Sequence, residues 1–175
     1  MTPPRTSTSN GARKVAGNRA KASAKAKVKA ARQEDPRDPA LLAGYATLLS
    51  GYGALAGVVT WAAARRGRSV RDLSALELLT YGLATQHLSR LITKDSITAL
   101  VRAPFTEFNE PAGEGEVNEE PVGTGLRHAV GELLTCPFCV GQWVATALVA
   151  GRVLAPGLTT AVVSVSAVAR AADYL

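Results

Sequence analysis

An unbroken run of twenty-five residues without a charged side chain, Ala40–Ala64, limits what this chain can fold into. A helix needs about 20 apolar residues to cross the hydrocarbon core of a bilayer, so this run is long enough to span one. The alternative is a buried helix of a soluble protein, and such helices are seldom this long. The predicted span is closed by a cluster of arginines: Arg65, Arg66, Arg68 and Arg71. The sequence therefore predicts an integral membrane protein.

Residues 1–39 have the composition of a disordered basic tail. Residues 1–40 contain ten of the twenty Lys and Arg residues but three of the fourteen acidic ones, and they have few apolar side chains from which to build a core. Such a tail is attracted to anionic lipid by about 1 kcal/mol for each basic residue near the surface, and nucleic acid is the alternative ligand. The basic residues expected to bind are Lys21, Lys25, Lys27, Lys29 and Arg32.

Residues 40–175 are predicted to form an all-α membrane domain, a bundle of three to four transmembrane or interfacial helices. Residues 74–92 have apolar positions at helical spacing but also carry charges, so they either cross the bilayer or lie in its interface. Residues 106–124 are acidic and rich in Gly and Pro, which indicates a flexible loop. Two further apolar helices are predicted after Pro137, joined by a tight turn at residues 156–157.

The distribution of positive charge indicates how this bundle is oriented. Residues 21–40 contain six Lys and Arg residues and residues 93–135 contain three, whereas the short segment 65–71 contains four. Loops rich in Lys and Arg tend to stay in the cytoplasm. We therefore expect a multi-pass protein whose N-terminus is cytoplasmic.

The cysteines of the chain, Cys136 and Cys139, form a CxxC motif at the start of an apolar helix. Unpaired amides and the helix dipole favour the thiolate there, which suits thiol–disulfide chemistry, although the strand–helix–strand context of thioredoxin-type motifs is missing. A zinc site needs further ligands, either His128 and Glu132 or the two cysteines of a second subunit. Packing of two small buried side chains is the interpretation that we favour, so no cofactor is expected.

Four charged residues near the predicted helix ends are candidates for a buried charge network: Arg90, Asp95, Arg102 and Glu132. Ionisable groups at membrane depth need partners, so we expect an ion-pair lock between the second helix and the helix of the CxxC motif. Small residues allow helices to approach closely, and aromatic residues favour the membrane interface. The candidates for these packing and interface roles are Gly53, Gly57, Gly141 and Trp143.

Three sequence motifs together resemble a known family. They are QHLSRLITKDSI…VRAPF, GELLTCPFCVGQW and a C-terminal apolar pair ending in AADYL. Over about residues 75–175 the chain resembles the bacterial membrane family called domain of unknown function 1360. The resemblance implies a small integral membrane protein and gives no substrate, cofactor or reaction. The residues that match the family's motif positions are Arg90, Asp95, Arg102, Pro104, Glu132, Cys136, Cys139, Gly141, Trp143 and Asp173.

These observations favour a non-enzymatic scaffold or interaction subunit of the bacterial cytoplasmic membrane. Its expected partners are membrane lipid and either another protein or a second copy of the chain. Two alternatives stay open. One is a membrane thiol-redox or metal-binding protein that uses the CxxC motif, and the other is a membrane tether for DNA that uses the basic tail.

Overall fold

Six helices and one β hairpin make up the part of the chain that the structure, a computed structural model, describes: residues 38–67 and 73–174. They belong to one structural unit that begins at Pro39. The helices are α1 (Pro39–Arg65), α2 (Ala75–Lys94), α3 (Ala99–Arg102), α4 (Gly125–Thr135), α5 (Pro137–Leu154) and α6 (Pro156–Ala172). The strands are β1 (Thr106–Gly113) and β2 (Glu116–Pro121).

The centre of the fold is formed by α2, α5 and α6. Val140, Val144 and Leu148 lie on one face of α5, at the four-residue spacing that aligns side chains along a helix. They pack with the fully buried Ala84 of α2 and with Val163 of α6. The core is thus made of small and branched side chains, as expected from a sequence with 47% hydrophobic but only 5% aromatic residues.

Helix α2 lies alongside α5 and runs in the opposite direction. Near one end, a Cβ added at Gly141 of α5 would be 3.4 Å from Ser89 Oγ of α2. Near the other end, Arg152 of α5 donates a 2.8 Å hydrogen bond to Glu77 of α2. The two helices are therefore antiparallel neighbours over most of their length.

Helix α1 packs against α4 and α5 but leaves most of its surface open. Gly44 is buried against α4, where an added Cβ would lie 3.0 Å from the carbonyl carbon of Gly125. Tyr52 makes an edge-to-face contact with Trp143 of α5, with 5.4 Å between the ring centroids. By length and composition, α1 and α5 are the two described helices that could cross a membrane, and only 6% of the most apolar stretch of α1 is buried within the protein.

The described part of the chain is mostly helical, as predicted, but the acidic segment 106–124, predicted to be a flexible loop, contains a β hairpin. The strands pair antiparallel from Thr106 opposite Pro121 to Gly113 opposite Glu116, with two register irregularities. Gly115 provides the left-handed conformation of the turn, at φ +76°. Only the first residue of β1 is buried, so the strand lacks the alternation of apolar and polar residues that marks a half-buried strand. The sequence therefore gives no strand signal here.

The predicted helix breaks at proline are confirmed in part. Pro137 is the first residue of α5, and Cys136 before it is extended. Helix α6 begins at Pro156 itself, after the single linking residue Ala155, instead of after the predicted turn at residues 156–157. The residues predicted to bind anionic lipid or nucleic acid lie outside the described part of the chain: Lys21, Lys25, Lys27, Lys29 and Arg32.

Gly131 of α4 provides a test of how the hairpin packs on the helices. An added Cβ would lie 2.5 Å from the carbonyl oxygen of Phe105 and 2.9 Å from Pro121 Cβ. We expect Gly131→Ala to lower the free energy of unfolding by about 1–3 kcal/mol, the usual cost of overpacking. Gly82→Ala in α2 is the control, because no atom lies within 4 Å of its added Cβ. Thermal unfolding followed by circular dichroism should show a lower Tm for Gly131→Ala alone.

Candidate functional site

A fully buried ion pair joins the hairpin to the helices. The side chain of Arg102 is 0% exposed and that of Glu119 is 6% exposed. The guanidinium donates to both carboxylate oxygens, from Nε at 2.8 Å and from Nη2 at 3.1 Å. Its remaining hydrogen bonds go to the carbonyl oxygens of Ile92 and Asp95 and to Thr98 Oγ1. Every guanidinium nitrogen therefore has a partner, which a buried charge requires.

The surroundings of Glu119 keep its carboxylate charged. Burial raises the pKa of Glu119, but hydrogen bonds from Arg102 and Thr106 and the positive charge of Arg102 outweigh this effect, so the net pKa is lowered. Thr106 Oγ1 donates to the carboxylate at 2.6 Å. The pKa of Glu119 is lower in the folded state than in the unfolded state. The pair therefore stabilises the fold fully at a pH above the pKa of the unfolded state. This stabilisation is lost as the pH falls through the pKa that Glu119 has in the folded protein.

A second, more exposed set of contacts ties the hairpin turn to the end of α2. Arg90 donates to both oxygens of Glu116, at 2.6 and 2.8 Å, and this hydrogen bonding lowers the pKa of Glu116. Lys94 Nζ donates to Asn118 Oδ1 at 3.1 Å. Ser96 donates from its backbone amide and its hydroxyl to the carbonyl of Gly115.

The side chains of the four residues predicted to form one charge network have different partners, and the contact between Arg102 and Asp95 involves the backbone carbonyl of Asp95. Arg90 and Arg102 bind glutamates of β2, which the sequence analysis had assigned to a loop. The carboxylate of Asp95 instead accepts a 2.8 Å hydrogen bond from the backbone amide of Ile97. The carboxylate of Glu132 accepts a hydrogen bond from the Tyr45 hydroxyl of α1.

Cys136 and Cys139 lie where α4 ends and α5 begins. Cys136 caps α5, and its sulfur accepts a 3.3 Å hydrogen bond from the backbone amide of Cys139. The two sulfur atoms are 2.6 Å apart, and both cysteines are free. Cys136 is half-buried and Cys139 is exposed. The motif therefore has two neighbouring thiols at a helix start, one of which is open to a reaction partner.

His128 and Glu132 are not gathered with the cysteines into a metal site. His128 Nε2 lies 3.6 Å from Glu132 Oε1, one helical turn away on α4. Across residues 38–67 and 73–174, no group of three or more His, Cys, Asp or Glu side chains is arranged to hold a metal ion. The four-ligand arrangement considered within one chain is therefore not formed by these residues.

The glycines and the tryptophan selected from the sequence lie in different surroundings. Gly141 faces α2, as described above, and Trp143 is half-buried against Tyr52 of α1. No atom of the described chain lies within 4 Å of a Cβ added at Gly53 or Gly57, so these two glycines do not pack on a helix of the same chain. The close helix approach on α1 occurs instead at Gly44, which packs against Gly125 and Ala129 of α4.

Comparison with known proteins identifies the family. The model of the family described as "Protein of unknown function (DUF1360)" matches residues 80–175, more than half of the chain. The chain belongs to the DUF1360 family. The matched region contains most of α2, the hairpin and the three helices that follow, so both the Arg102–Glu119 pair and the CxxC motif lie within the DUF1360 region.

Two curated relatives come from Bacillus subtilis (strain 168). The chain is 34% identical over 87 residues to a protein named sporulation protein YjcA, covering 48% of this chain and 74% of YjcA. It is 30% identical over 104 residues to the UPF0713 protein YngL, covering 59% of this chain and 78% of YngL. No solved structure matches the chain.

The two glutamates of β2 provide a matched test of the buried pair. We expect Glu119→Gln to lower the free energy of unfolding by about 3–5 kcal/mol, because it leaves the buried Arg102 without a counter-charge. Glu116→Gln removes the same charge from a pair whose arginine side chain is 53% exposed, so it should cost at most about 1 kcal/mol. Chemical denaturation of the purified protein measures both values.

The same variants test the pH dependence. The stability difference between the wild type and Glu119→Gln should shrink as the pH is lowered from neutral to about 3, below the usual glutamate pKa of about 4.3. A difference that stays constant over this range would contradict a charged Glu119.

Proposed function

We propose that this DUF1360 protein is a multi-pass integral membrane protein in which α1, α2, α5 and α6 cross the bilayer. The observation that carries this proposal is the open surface of α1, which has 27 residues and is only 6% buried over its most apolar stretch. A core helix of a soluble protein would be mostly buried. Monomeric soluble proteins rarely expose a contiguous apolar surface as long as this helix. In a bilayer, the same surface would be covered by the acyl chains of the lipids.

The charged contacts support this placement because they lie at the two ends of the bundle. At one end, Arg66 donates to the carbonyl of Val153, and Arg152 pairs with Glu77. At the other end lie the hairpin contacts of Arg90 and Arg102. Charged side chains are costly at the centre of a bilayer and are tolerated near its surfaces, where they reach water.

We place the hairpin end in the cytoplasm. The start of α1 packs against α4 at this end, and the cysteines and the end of α6 lie there too, since Tyr174 approaches Gln86 near the end of α2. The basic residues of segments 21–40 and 93–135 outnumber those of segment 65–71 by nine to four. The positive-inside rule therefore favours the hairpin end as the cytoplasmic one.

We propose that the protein acts there as a non-enzymatic scaffold and that the hairpin is its docking surface. The Arg102–Glu119 pair fixes the base of the hairpin, while β1 is exposed after its first residue. Exposed carboxylates lie along β1 and in the turn: Glu107, Glu110 and Glu114. A rigid acidic surface favours association with a basic segment of a partner protein, because complementary charges raise the rate and the selectivity of binding.

The CxxC motif provides a second candidate function, a thiol-redox role. The observation that favours it is that the two free thiols are neighbours at the start of α5, with Cys139 exposed. In this reaction the two thiols would form a disulfide and pass two electrons and two protons to the disulfide of a partner protein, which would be reduced to two thiols.

A charge placed on the open face of α1 distinguishes a membrane helix from a soluble one. Leu49 lies near the middle of α1 and is 72% exposed. We expect Leu49→Lys to reduce membrane insertion, because a lysine at the centre of a spanning helix costs about 2.5–3.5 kcal/mol. Leu42→Lys, close to the start of the helix, should insert normally. The measurement is the fraction of each protein that resists alkaline extraction from membranes. Equal extraction of the two variants would contradict the proposed span.

Two sets of substitutions separate the scaffold from the redox protein. We expect the combined change Glu107→Gln, Glu110→Gln and Glu114→Gln to lose most of the proteins that crosslink to the wild type in membranes. The combined change Cys136→Ser and Cys139→Ser should retain them. Quantitative mass spectrometry after crosslinking measures both. The opposite pattern, together with mixed disulfides trapped by Cys136→Ser or Cys139→Ser alone, would favour the redox role.

A further inference from the structure

A groove of about 770 Å³ runs along α2 and α5 and reaches the hairpin. Its walls are mostly apolar and include Leu78 and Tyr81 of α2 and Phe138, Ala145 and Val149 of α5. Phe138 and Leu78 are exposed, so the groove opens towards the surroundings of the helices and is not a closed cavity.

The end of the groove near the hairpin is cationic. Arg90, Lys94 and Arg170 line it, together with the single carboxylate of Glu116. Arg90 is paired with Glu116, and Arg170 with Asp173 beside the groove. The hydrogen-bond partner of Lys94 is the neutral amide of Asn118, so its charge is not neutralised by a direct ion pair.

Arg170 carries a donor without a partner at this end. Its Nε atom is buried, yet no acceptor binds it within the described part of the chain. A buried donor left without a hydrogen bond destabilises the folded state. An anionic group at this end of the groove would supply the counter-charge that Lys94 lacks and would lie beside the incompletely bonded Arg170.

The length of the groove matches one leaflet of a bilayer. On α5 the groove is lined from Pro137 to Val149, which are twelve residues or about 18 Å apart along the helix. The hydrocarbon depth of one leaflet is about 15 Å, half of the about 30 Å core. An acyl chain in the apolar part of the groove would therefore bring a lipid headgroup to the level of the cationic end.

We infer that this groove binds one anionic phospholipid, with an acyl chain between α2 and α5 and the phosphate at Lys94 and Arg170. The inference rests on the proposed membrane function, and in the proposed orientation the lipid belongs to the cytoplasmic leaflet. Charge-assisted hydrogen bonds from lysine and arginine to phosphate are short and strong, so the headgroup provides selectivity. The apolar walls contact the acyl chain and do not distinguish one lipid class from another.

Lipid selectivity is measured on the full-length protein reconstituted in nanodiscs that contain equal amounts of phosphatidylglycerol and phosphatidylcholine. Native mass spectrometry of the released protein counts the lipids that stay bound. We expect the wild type to retain one phosphatidylglycerol in preference to phosphatidylcholine. Lys94→Gln and Arg170→Gln should each lower this preference about tenfold, or by about 1.4 kcal/mol.

Two further variants control the experiment. Arg127→Gln removes a positive charge from α4, where Arg127 donates to the carbonyl of Pro104 outside the groove, and should retain the lipid. Ala145→Phe fills the apolar part of the groove without changing its charge and should release the lipid. All variants are first compared with the wild type by thermal unfolding, so that loss of lipid is read only from folded protein.

The outcomes separate this inference from the membrane function itself. Equal retention of the two lipids by the wild type, or equal selectivity in Lys94→Gln and Arg127→Gln, would overturn the lipid site. A stable dimer that binds no lipid would also overturn it and would assign the groove to a second copy. A protein that fractionates with the soluble phase would instead refute the proposed membrane function.

Discussion

The buried pair of Arg102 and Glu119 is the interaction on which the arrangement of this fold depends. Arg102 ends the short helix α3, which follows the long helix α2, and Glu119 lies in β2, which leads into α4. The pair therefore connects the helix before the hairpin with the helices after it. The acidic hairpin has almost no apolar core of its own. Most small sheets are held by hydrophobic packing, whereas this one is held by the need of the buried Arg102 for a counter-charge. The exposed acidic edge is available for binding because the base is held in this way.

The molecule has two chemically different regions, and the proposed functions follow from this division. The outward faces of the helices are apolar and lack charge along their middle, whereas the hairpin end gathers ion pairs, carboxylates and two thiols. A lipid groove along the helices and a docking surface on the hairpin would therefore meet at Glu116 and Asn118, which belong to the hairpin and line the groove.

The helices were predictable because their signals are local. The uncharged run at residues 40–64 and the proline at position 137 each determine structure within a few residues, and the family motifs appear as contiguous letters. The hairpin was not predictable in this way, since its strands are stabilised by partners on distant helices and lack apolar alternation. The same is true of the charges. The acidic residues between 106 and 124 look equivalent in sequence, and only the register of the two strands shows that Glu119 is buried while Glu116 is not. The groove needs the packing of α2 on α5, which no local pattern specifies.

The short connections between the helices have a consequence for how such a protein would be made. A single residue, Ala155, joins α5 to α6, and Gly67 and Leu73 bound the short segment between α1 and α2. Under the proposed placement, both connections lie on the far side of the bilayer. Between α5 and α6 the insertion machinery would have a single residue to translocate, so these two helices could enter the membrane as a pair. The segment after α1 would instead carry its cluster of arginines across the bilayer.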